Sequence, residues 1–323
     1  MPNPTVTYFL MTYRHAAFVR EAVASAFAQE YSPLEIVLSD DCSPDETFEI
    51  LCEEHARYRG PHTVRLNRNP ANLRLGHWNK VAGLARGDLI VVAHGDDVAF
   101  PQRTATLAQA QAQSGASLVS SNAIVTDVTG TPKTVYCNQM KSGSVALKDI
   151  IAHGWMATML GATFAFRREV LERFPPIDSA RLPVGSDHVL PFRAGLLGGV
   201  HYVGEPLLRY RRHAGNASNF IADYSGPREA MDETYAAYCI TSALYILEEL
   251  SRWGNQSASF HVEAVRSALA QNIFLRTQQW IQTRNKLLNQ GLFPVWVDRA
   301  TRSLQKAGQF GDLLQEQQED SSS

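Results

Sequence analysis

The first hundred residues alternate short β-rich runs with amphipathic helical patterns, and this alternation restricts the chain to few folds. Val6-Thr7-Tyr8-Phe9-Leu10 reads as a buried strand, and the apolar residues from Phe18 to Phe27 recur at helical spacing. Glu35-Ile36-Val37-Leu38-Ser39 is a second strand, followed by a helix from about Asp45 to Tyr58, and Thr63-Val64-Arg65-Leu66 is a third. A helix near His77 to Ala85 leads through Arg86-Gly87-Asp88 into a fourth, Leu89-Ile90-Val91-Val92-Ala93. Strand–helix–strand alternation of this kind predicts an α/β, doubly wound, mostly parallel sheet with helices on both faces. Such sheets bind ligands beyond the carboxyl ends of their strands, so the residues just after each strand are where chemistry is expected.

Beyond residue 115 the pattern becomes mixed. Ser117 to Asn122 and Gly161 to Arg167 read as strands, Thr129-Gly130-Thr131 as a turn between two short ones, and Asp187 to Leu197 as a helix. Val200 to Arg212 reads as two further short strands. After Pro227 the character changes to helical: a first run over 228–253, a second reaching about Leu288 and a weaker one over 295–315. The expected organisation is therefore a catalytic domain over residues 1–225, a helical extension over 226–316 and a disordered polar tail over 317–323.

Two acidic pairs stand at predicted strand ends. Strand two runs into Asp40-Asp41-Cys42-Ser43, and strand four into His94-Gly95-Asp96-Asp97. Parallel strands would bring both pairs to one crevice. Bare carboxylates would repel a diphosphate there, so a divalent cation, Mn²⁺ or Mg²⁺, is expected between them. Neighbouring residues on a strand point to opposite faces. That assigns Asp97 to the metal and Asp96 to ribose hydroxyls or to the support of the metal site. Each pair taken singly fits an ordinary acidic turn, because Asp is favoured there for its own hydrogen bonding.

From Val6 to about Ser218 the sequence resembles the inverting glycosyltransferases of family 2, with their nucleotide-sugar-binding GT-A fold. The residues that carry the resemblance are Thr12-Tyr13, Ser39-Asp40-Asp41-Cys42-Ser43, Asn72 to Gly87, Gly95-Asp96-Asp97 with Pro101, Ser186-Asp187, and Tyr210-Arg211-Arg212-His213 with Asn216 and Ser218. The resemblance implies that Thr12, Tyr13 and Asp41 contact the nucleobase and that Asp187 is the general base. It also implies that Asp96-Asp97 corresponds to the D-x-D region, with Asn79 and Lys80 on the donor nucleotide. Three positions depart from the pattern: Arg14 stands where Asn is common, Trp78 where an arginine often precedes Asn79, and Gly95 where D-x-D has its first acid.

Several residues keep two readings. Ser186-Asp187 after Gly185 also makes a helix cap with a first-turn acid. His213 is a candidate metal ligand or diphosphate contact, and Arg211 and Arg212 are candidates for the leaving diphosphate; surface or core positions would account for them equally. Trp155 offers a stacking face to an acceptor sugar, and Gly161 would allow a sugar to approach closely.

Composition narrows the partners. A net charge of −2 and the lack of a basic stripe in the first 225 residues argue against nucleic acid. No basic region followed by an apolar run opens the chain, so no signal peptide is expected. Four cysteines without close pairing are expected as reduced thiols of a cytoplasmic protein. Residues 260–310 carry seven basic side chains against Glu263 and Asp298. A solvated helical face accounts for that surplus, and so would peripheral contact with the inner face of the membrane. Ile273, Trp280 and Ile281 there would pack on the catalytic domain or form a homodimer contact.

The expected activity is sugar transfer from a nucleoside-diphosphate sugar, with UDP, dTDP or GDP as the nucleotide. The acceptor is expected to be a carbohydrate or glycolipid hydroxyl, with bacterial surface polysaccharide synthesis as the setting. A nucleotidyltransferase is disfavoured because Thr12 to Ala17 contains no glycine-rich phosphate loop. A dinucleotide-binding oxidoreductase lacks its G-x-G-x-x-G after strand one. A nucleotide-sugar-binding scaffold without turnover is the remaining alternative.

Overall fold

A computed structural model of the chain describes residues 4–137, 140–147, 149–150, 159–182, 185–216, 239–250, 252 and 262–289. The chain divides into two compact units, one within Met1–Ser179 and Pro183–His213 and one within Ala180–Leu182 and Ala214–Ser323.

The first unit is built on a ten-stranded sheet in the order β3-β2-β1-β4-β9-β6-β10-β5, with β7 beside β6 and β8 beside β10. The strands are β1 Val6–Thr12, β2 Leu34–Asp40, β3 Thr63–Arg68, β4 Leu89–His94, β5 Val98–Ala99, β6 Leu118–Thr126, β7 Pro132–Val135, β8 Gly143–Val145, β9 Ala165–Arg167 and β10 Val200–Arg211. The long ladders are parallel: β1 with β2 and β4, β2 with β3, and β6 with β10. The antiparallel pairings of β5, β7, β8 and β9 are short. β1 is buried along its whole length, as a strand covered on both faces must be, whereas edge strand β3 is only half-buried.

Helices α1 (Val19–Phe27), α2 (Thr47–Arg57), α3 (Trp78–Leu84) and α4 (Arg103–Ser114) connect these strands. Tyr8, Leu10, Ile36, Leu38, Val91 and Ala93 alternate along three strands and pack with Val19 and Val23 of α1, Leu51 of α2 and Leu107 of α4. The period of two on the strands and the helical spacing on α1 are thus one core seen from two sides. A single-turn helix α5 (Glu169–Glu172) and α6 (Ser186–Leu196) complete the unit.

The chain winds outward from β1 to β2 and β3, then returns to β4 on the other side of β1. This reversal opens a crevice at the carboxyl ends of β1, β2 and β4. Register aligns those ends, with Thr12 opposite Asp40 and Met11 opposite His94.

Two expected elements differ. Residues 161–167 were expected as one strand, but Gly161–Thr163 form a 3₁₀ turn and only Ala165–Arg167 pair as β9. The Thr163 hydroxyl donates back to Leu160 O at 2.6 Å, closing the chain on itself where a strand would extend. The two strands expected in 200–212 are a single β10, whose register with β6 shifts on both sides of Pro206. Proline supplies no N–H to the ladder, so the strand continues with an irregularity there.

In the second unit, residues 239–250 are helical, and a 28-residue helix spans Val262–Asn289. Val265, Leu269 and Ile273 are buried, while Phe274, Leu275 and Ile281 are exposed. The guanidinium of Arg181 pairs with Glu248. Among the described residues no helix is long and apolar enough to cross a membrane. The helix expected over 295–315 and the tail over 317–323 lie outside the described residues.

Candidate active site

The loops that follow β1, β2 and β3 each hold one non-glycine residue with positive φ: Arg14 at 58°, Cys42 at 60° and Arg74 at 54°. This region of backbone space is costly for a side chain with a Cβ and is held only where neighbours over-determine it. Here they do. Arg14 N donates to Ser43 Oγ at 2.9 Å, and Arg74 N donates to Asp41 Oδ2 at 2.9 Å. Asn is the easier residue in this conformation, which gives a physical meaning to the departure at position 14.

At the end of β2 both carboxylates are filled with donors. Asp40 accepts from Ser43 N at 2.9 Å, from Ser43 Oγ at 2.5 Å and from Thr12 Oγ1 at 3.2 Å, with Arg68 Nε 3.6 Å away. Asp41 accepts from Asn69 Nδ2 at 2.8 Å, Leu73 N at 3.0 Å and Arg74 N. Asp41, expected at the nucleobase, here ties the loop after β3 to the sheet, and Asp40 ties the loop that follows its own strand to the end of β1. His77, which shares a 2.7 Å hydrogen bond with Ser39 Oγ, lies under this loop, and burial lowers its pKa against the pull of Asp41 and Asp40.

At the end of β4 the demand is unmet. Asp97 is buried, and Oδ1 accepts from Arg211 N at 3.0 Å while Oδ2 has no hydrogen-bond partner among the described residues. Burial, reinforced by the charge of Asp96, pushes the Asp97 carboxyl well above the usual range. Asp96 shows the reverse. Burial alone would raise it, but His15 Nε2 at 3.6 Å and His213 Nε2 at 3.1 Å hold it well below the usual range. His94, half-buried on the same strand end, is pushed down to about 4 by burial and so stays neutral. Among the described residues His94, Asp96 and Asp97 form a candidate cation site, their ligand atoms all within 4.8 Å of one another. Two carboxylates and a neutral imidazole suit a divalent ion of the Mn²⁺ or Mg²⁺ class, and the orphaned Asp97 oxygen is the vacant valence such an ion would fill.

The remaining expected site residues are placed as follows. Thr12 is buried on Asp40, and Tyr13 is half-buried beside it. Asn79 has both ends of its amide on the main chain of Ile177, Nδ2 donating at 2.9 Å and Oδ1 accepting at 2.8 Å. It straps α3 to that segment, while Lys80 is exposed. Arg211 reaches the site with its backbone N–H; its guanidinium donates to Glu21 at 2.7 Å and lies over Phe18. The ring of His213 also lies against Phe18, 4.5 Å between centroids. Arg212 continues the strand, its N–H donating to Thr126 O at 2.9 Å. Trp155 and Ser218 lie outside the described residues.

Asp187 opens α6 after Gly185, whose φ of 131° is open to glycine. The carboxylate is half-buried and lies against Gly161. A Cβ at Gly161 would fall on Asp187 Oδ1, so the absent side chain is what admits the acid. Burial raises the Asp187 pKa, while hydrogen bonds from the Gly161 main chain and the Ser186 hydroxyl oppose the rise. Gly161 was expected to make room for a sugar; the group it makes room for here is the carboxylate.

His15, against Asp96, and His94, in the candidate cation site, are two residues that the sequence reading did not single out. A Cβ at Gly95 would meet His15 Nδ1 and Thr12 Cγ2, both at 2.7 Å, so Gly95 lets the loops after β1 and β4 touch. The position of His15 three residues after the end of Thr12 was the available signal.

Similarity to known proteins agrees with this geometry. The profile described as Glycosyl transferase family 2 matches residues 8–174, just over half of the 323-residue chain. An uncharacterized glycosyltransferase of Nostoc sp. is 24% identical over 234 residues, 71% of either protein. The succinoglycan biosynthesis protein ExoO of Rhizobium meliloti is 33% identical over 132 residues, 39% of this chain and 35% of ExoO. Among solved structures, S. aureus TarS 1-349 in complex with UDP-GlcNAc superposes with a TM-score of 0.59 at 16% identity, covering 86% of this chain and 79% of TarS 1-349. The mannosyltransferase PcManGT of Pyrobaculum calidifontis, in complex with GDP-Man and Mn²⁺, gives 0.50 at 17% identity, over 94% of this chain and 85% of that one. A parallel half-sheet that reverses at β1, acidic ends at β2 and β4, and a profile match running from β1 through α5 place this chain in glycosyltransferase family 2, with the GT-A fold.

Proposed function

We propose that this chain transfers a sugar from a nucleoside-diphosphate sugar to an acceptor hydroxyl with inversion at the anomeric carbon. The observation that carries the reading is the buried Asp97 carboxylate with one oxygen unpartnered, next to Asp96 and His94. Asp97 with these two neighbours would hold a divalent cation, which when bound neutralises the diphosphate. Complexes of TarS with UDP-GlcNAc and of PcManGT with GDP-Man and Mn²⁺ support a nucleotide-sugar donor and a metal of this class.

Asp187 is the general base. An acceptor hydroxyl must lose its proton as it attacks, and a carboxylate with a raised pKa accepts that proton more readily than an ordinary one. Gly161 and the Ser186 hydroxyl fix the orientation of the acid. Thr12 and Tyr13 border the nucleotide at the end of β1, and Asp41 shapes its pocket through the loop at 69–74. His213 acts through Asp96. The acceptor is a carbohydrate or glycolipid hydroxyl in polysaccharide synthesis, a setting that the name of ExoO, a succinoglycan biosynthesis protein, supports. The catalytic domain spans 1–225, with the helical extension after it, and Trp155 is the residue proposed for the acceptor sugar.

The test is incubation with UDP-, dTDP- and GDP-sugars, with and without Mn²⁺ or Mg²⁺, following nucleotide release and the anomeric configuration of the freed sugar by NMR. Metal-dependent release with an inverted anomer supports the reading. Retention would remove the inverting mechanism, and metal-dependent binding without release would leave a nucleotide-sugar-binding scaffold.

A further inference from the structure

Arg103, in the first turn of α4, is with Arg193 one of the two fully buried arginines among the described residues. Nothing about the helix calls for it, because a cation at a helix N-terminus opposes the macrodipole. Its surroundings do. Nη2 donates to Val92 O at 2.6 Å and to Ala162 O at 2.8 Å. β4 pairs with β9 only from Leu89 to Val91, opposite Arg167 to Ala165. One further bond, Val92 N to Phe164 O at 2.9 Å, ends the contact, because the chain then enters the Gly161–Thr163 turn. The guanidinium stands where the ladder stops and bridges the two segments across the gap.

Those segments carry the two halves of the chemistry. Past Val92 the strand runs into Asp96 and Asp97, and Ala162 follows Gly161, against which Asp187 is seated. We propose that Arg103 is a positioning residue of the transfer site, bracing the strand that ends in the metal-binding aspartates against the turn that seats the base. The proposal rests on the reading of Asp97 as metal ligand and Asp187 as base. Both bonds leave from the single nitrogen Nη2, so a lysine, whose ammonium also carries several donors but sits on a stem one atom shorter, tests the reach of the brace.

The experiment compares Arg103→Lys, Arg103→Met, Asp187→Asn and the core control Leu51→Ala, all at temperatures below their own melting transitions. Binding of UDP, dTDP and GDP with Mn²⁺ is measured by calorimetry, and kcat with the nucleotide sugar that the wild type turns over. Misplacing reacting groups by about 1 Å costs up to ~10²-fold in rate. The expected result is a kcat loss of about 10²-fold in Arg103→Met and roughly tenfold in Arg103→Lys, with nucleotide affinity held within about threefold. In an Asp187→Asn background, Arg103→Lys should cost nothing further, because the base it positions is gone. A kcat loss no larger than that of Leu51→Ala, or full additivity with Asp187→Asn, overturns the proposal. If Arg103→Met does not fold, Arg103→Lys and the double variant decide alone. Wild-type turnover in Asp187→Asn would instead remove the base reading, a result distinct from failure of the Arg103 split.

Discussion

Asp40-Asp41 and Asp96-Asp97 are the same dipeptide at the ends of β2 and β4, the two strands that flank β1, yet their oxygens are used differently. Every oxygen of the β2 pair has a donor: two serine contacts and a threonine for Asp40, one asparagine and two backbone N–H groups for Asp41. In the β4 pair, Asp96 is held by two histidines, and Asp97 keeps Oδ2 unpartnered. The lesson is that acidity at a strand end does not by itself mark a candidate cation site; buried acidity left unsatisfied does. A carboxylate whose lone pairs are taken by the protein is a structural tie, whereas one buried with a lone pair to spare costs energy until a cation or proton arrives.

The largest effect that could break this contrast is on Asp97→Ala. Losing the cation that stabilises the departing diphosphate removes several kcal/mol, so transfer should fall by on the order of 10⁴-fold in a nucleotide-sugar turnover assay. Next comes Asp187→Asn, for which a rate loss of about 10³-fold is expected with nucleotide affinity retained. Burial raises the Asp187 pKa, and in the proposed mechanism the ionised form is the active base. The wild-type rate should therefore rise with pH along an acid limb lying above the ordinary carboxylate value of about 3.9, and that limb should vanish in the variant. The linkage has the matching sign. With the folded pKa above the unfolded one, the contribution of Asp187 to stability is full below pH ~3.9 and is lost as pH rises through the folded value. Asp187→Asn should accordingly melt no lower than wild type at pH 7, checked by thermal unfolding.

Gly161→Ala should follow, at about 10²-fold in kcat, since its Cβ displaces the base without touching the nucleotide. A change in nucleotide affinity without a change in kcat would show that Gly161 serves the donor instead. The smallest catalytic effect is expected of Asp41→Asn. It should cost stability, on the order of 2–3 kcal/mol for weakened charge-assisted bonds to buried N–H groups, read from chemical unfolding. Below the melting temperature its Mn²⁺ requirement should be unchanged.

The sequence made the parallel half of the fold legible because β1, β2 and β4 are continuous apolar runs, each ending in polar residues, as strands buried on both faces must be. The same logic misread 161–167, buried without a break from Gly161 to Phe166, in which only the Thr163 hydroxyl, bonding back to Leu160, marks the turn. Two short strands were expected in 200–212, but β10 runs through as one, with a shift of register on both sides of Pro206. The site was legible where chemistry is local, as at Asp96-Asp97. It was illegible where function depends on distant partners. Asp41 is filled by Asn69, Leu73 and Arg74, and the partners of Arg103 are 11 and 59 residues away. No local pattern distinguishes a saturated carboxylate from a hungry one.

The central claim, that the cation is held at the end of β4 and not of β2, is tested most directly by titrating Mn²⁺ into wild type, Asp97→Ala and Asp41→Asn, each saturated with its nucleotide and followed by the EPR signal of free Mn²⁺. Binding by wild type and Asp41→Asn but not by Asp97→Ala is the predicted result. Binding that survives Asp97→Ala and disappears in folded Asp41→Asn would contradict the account.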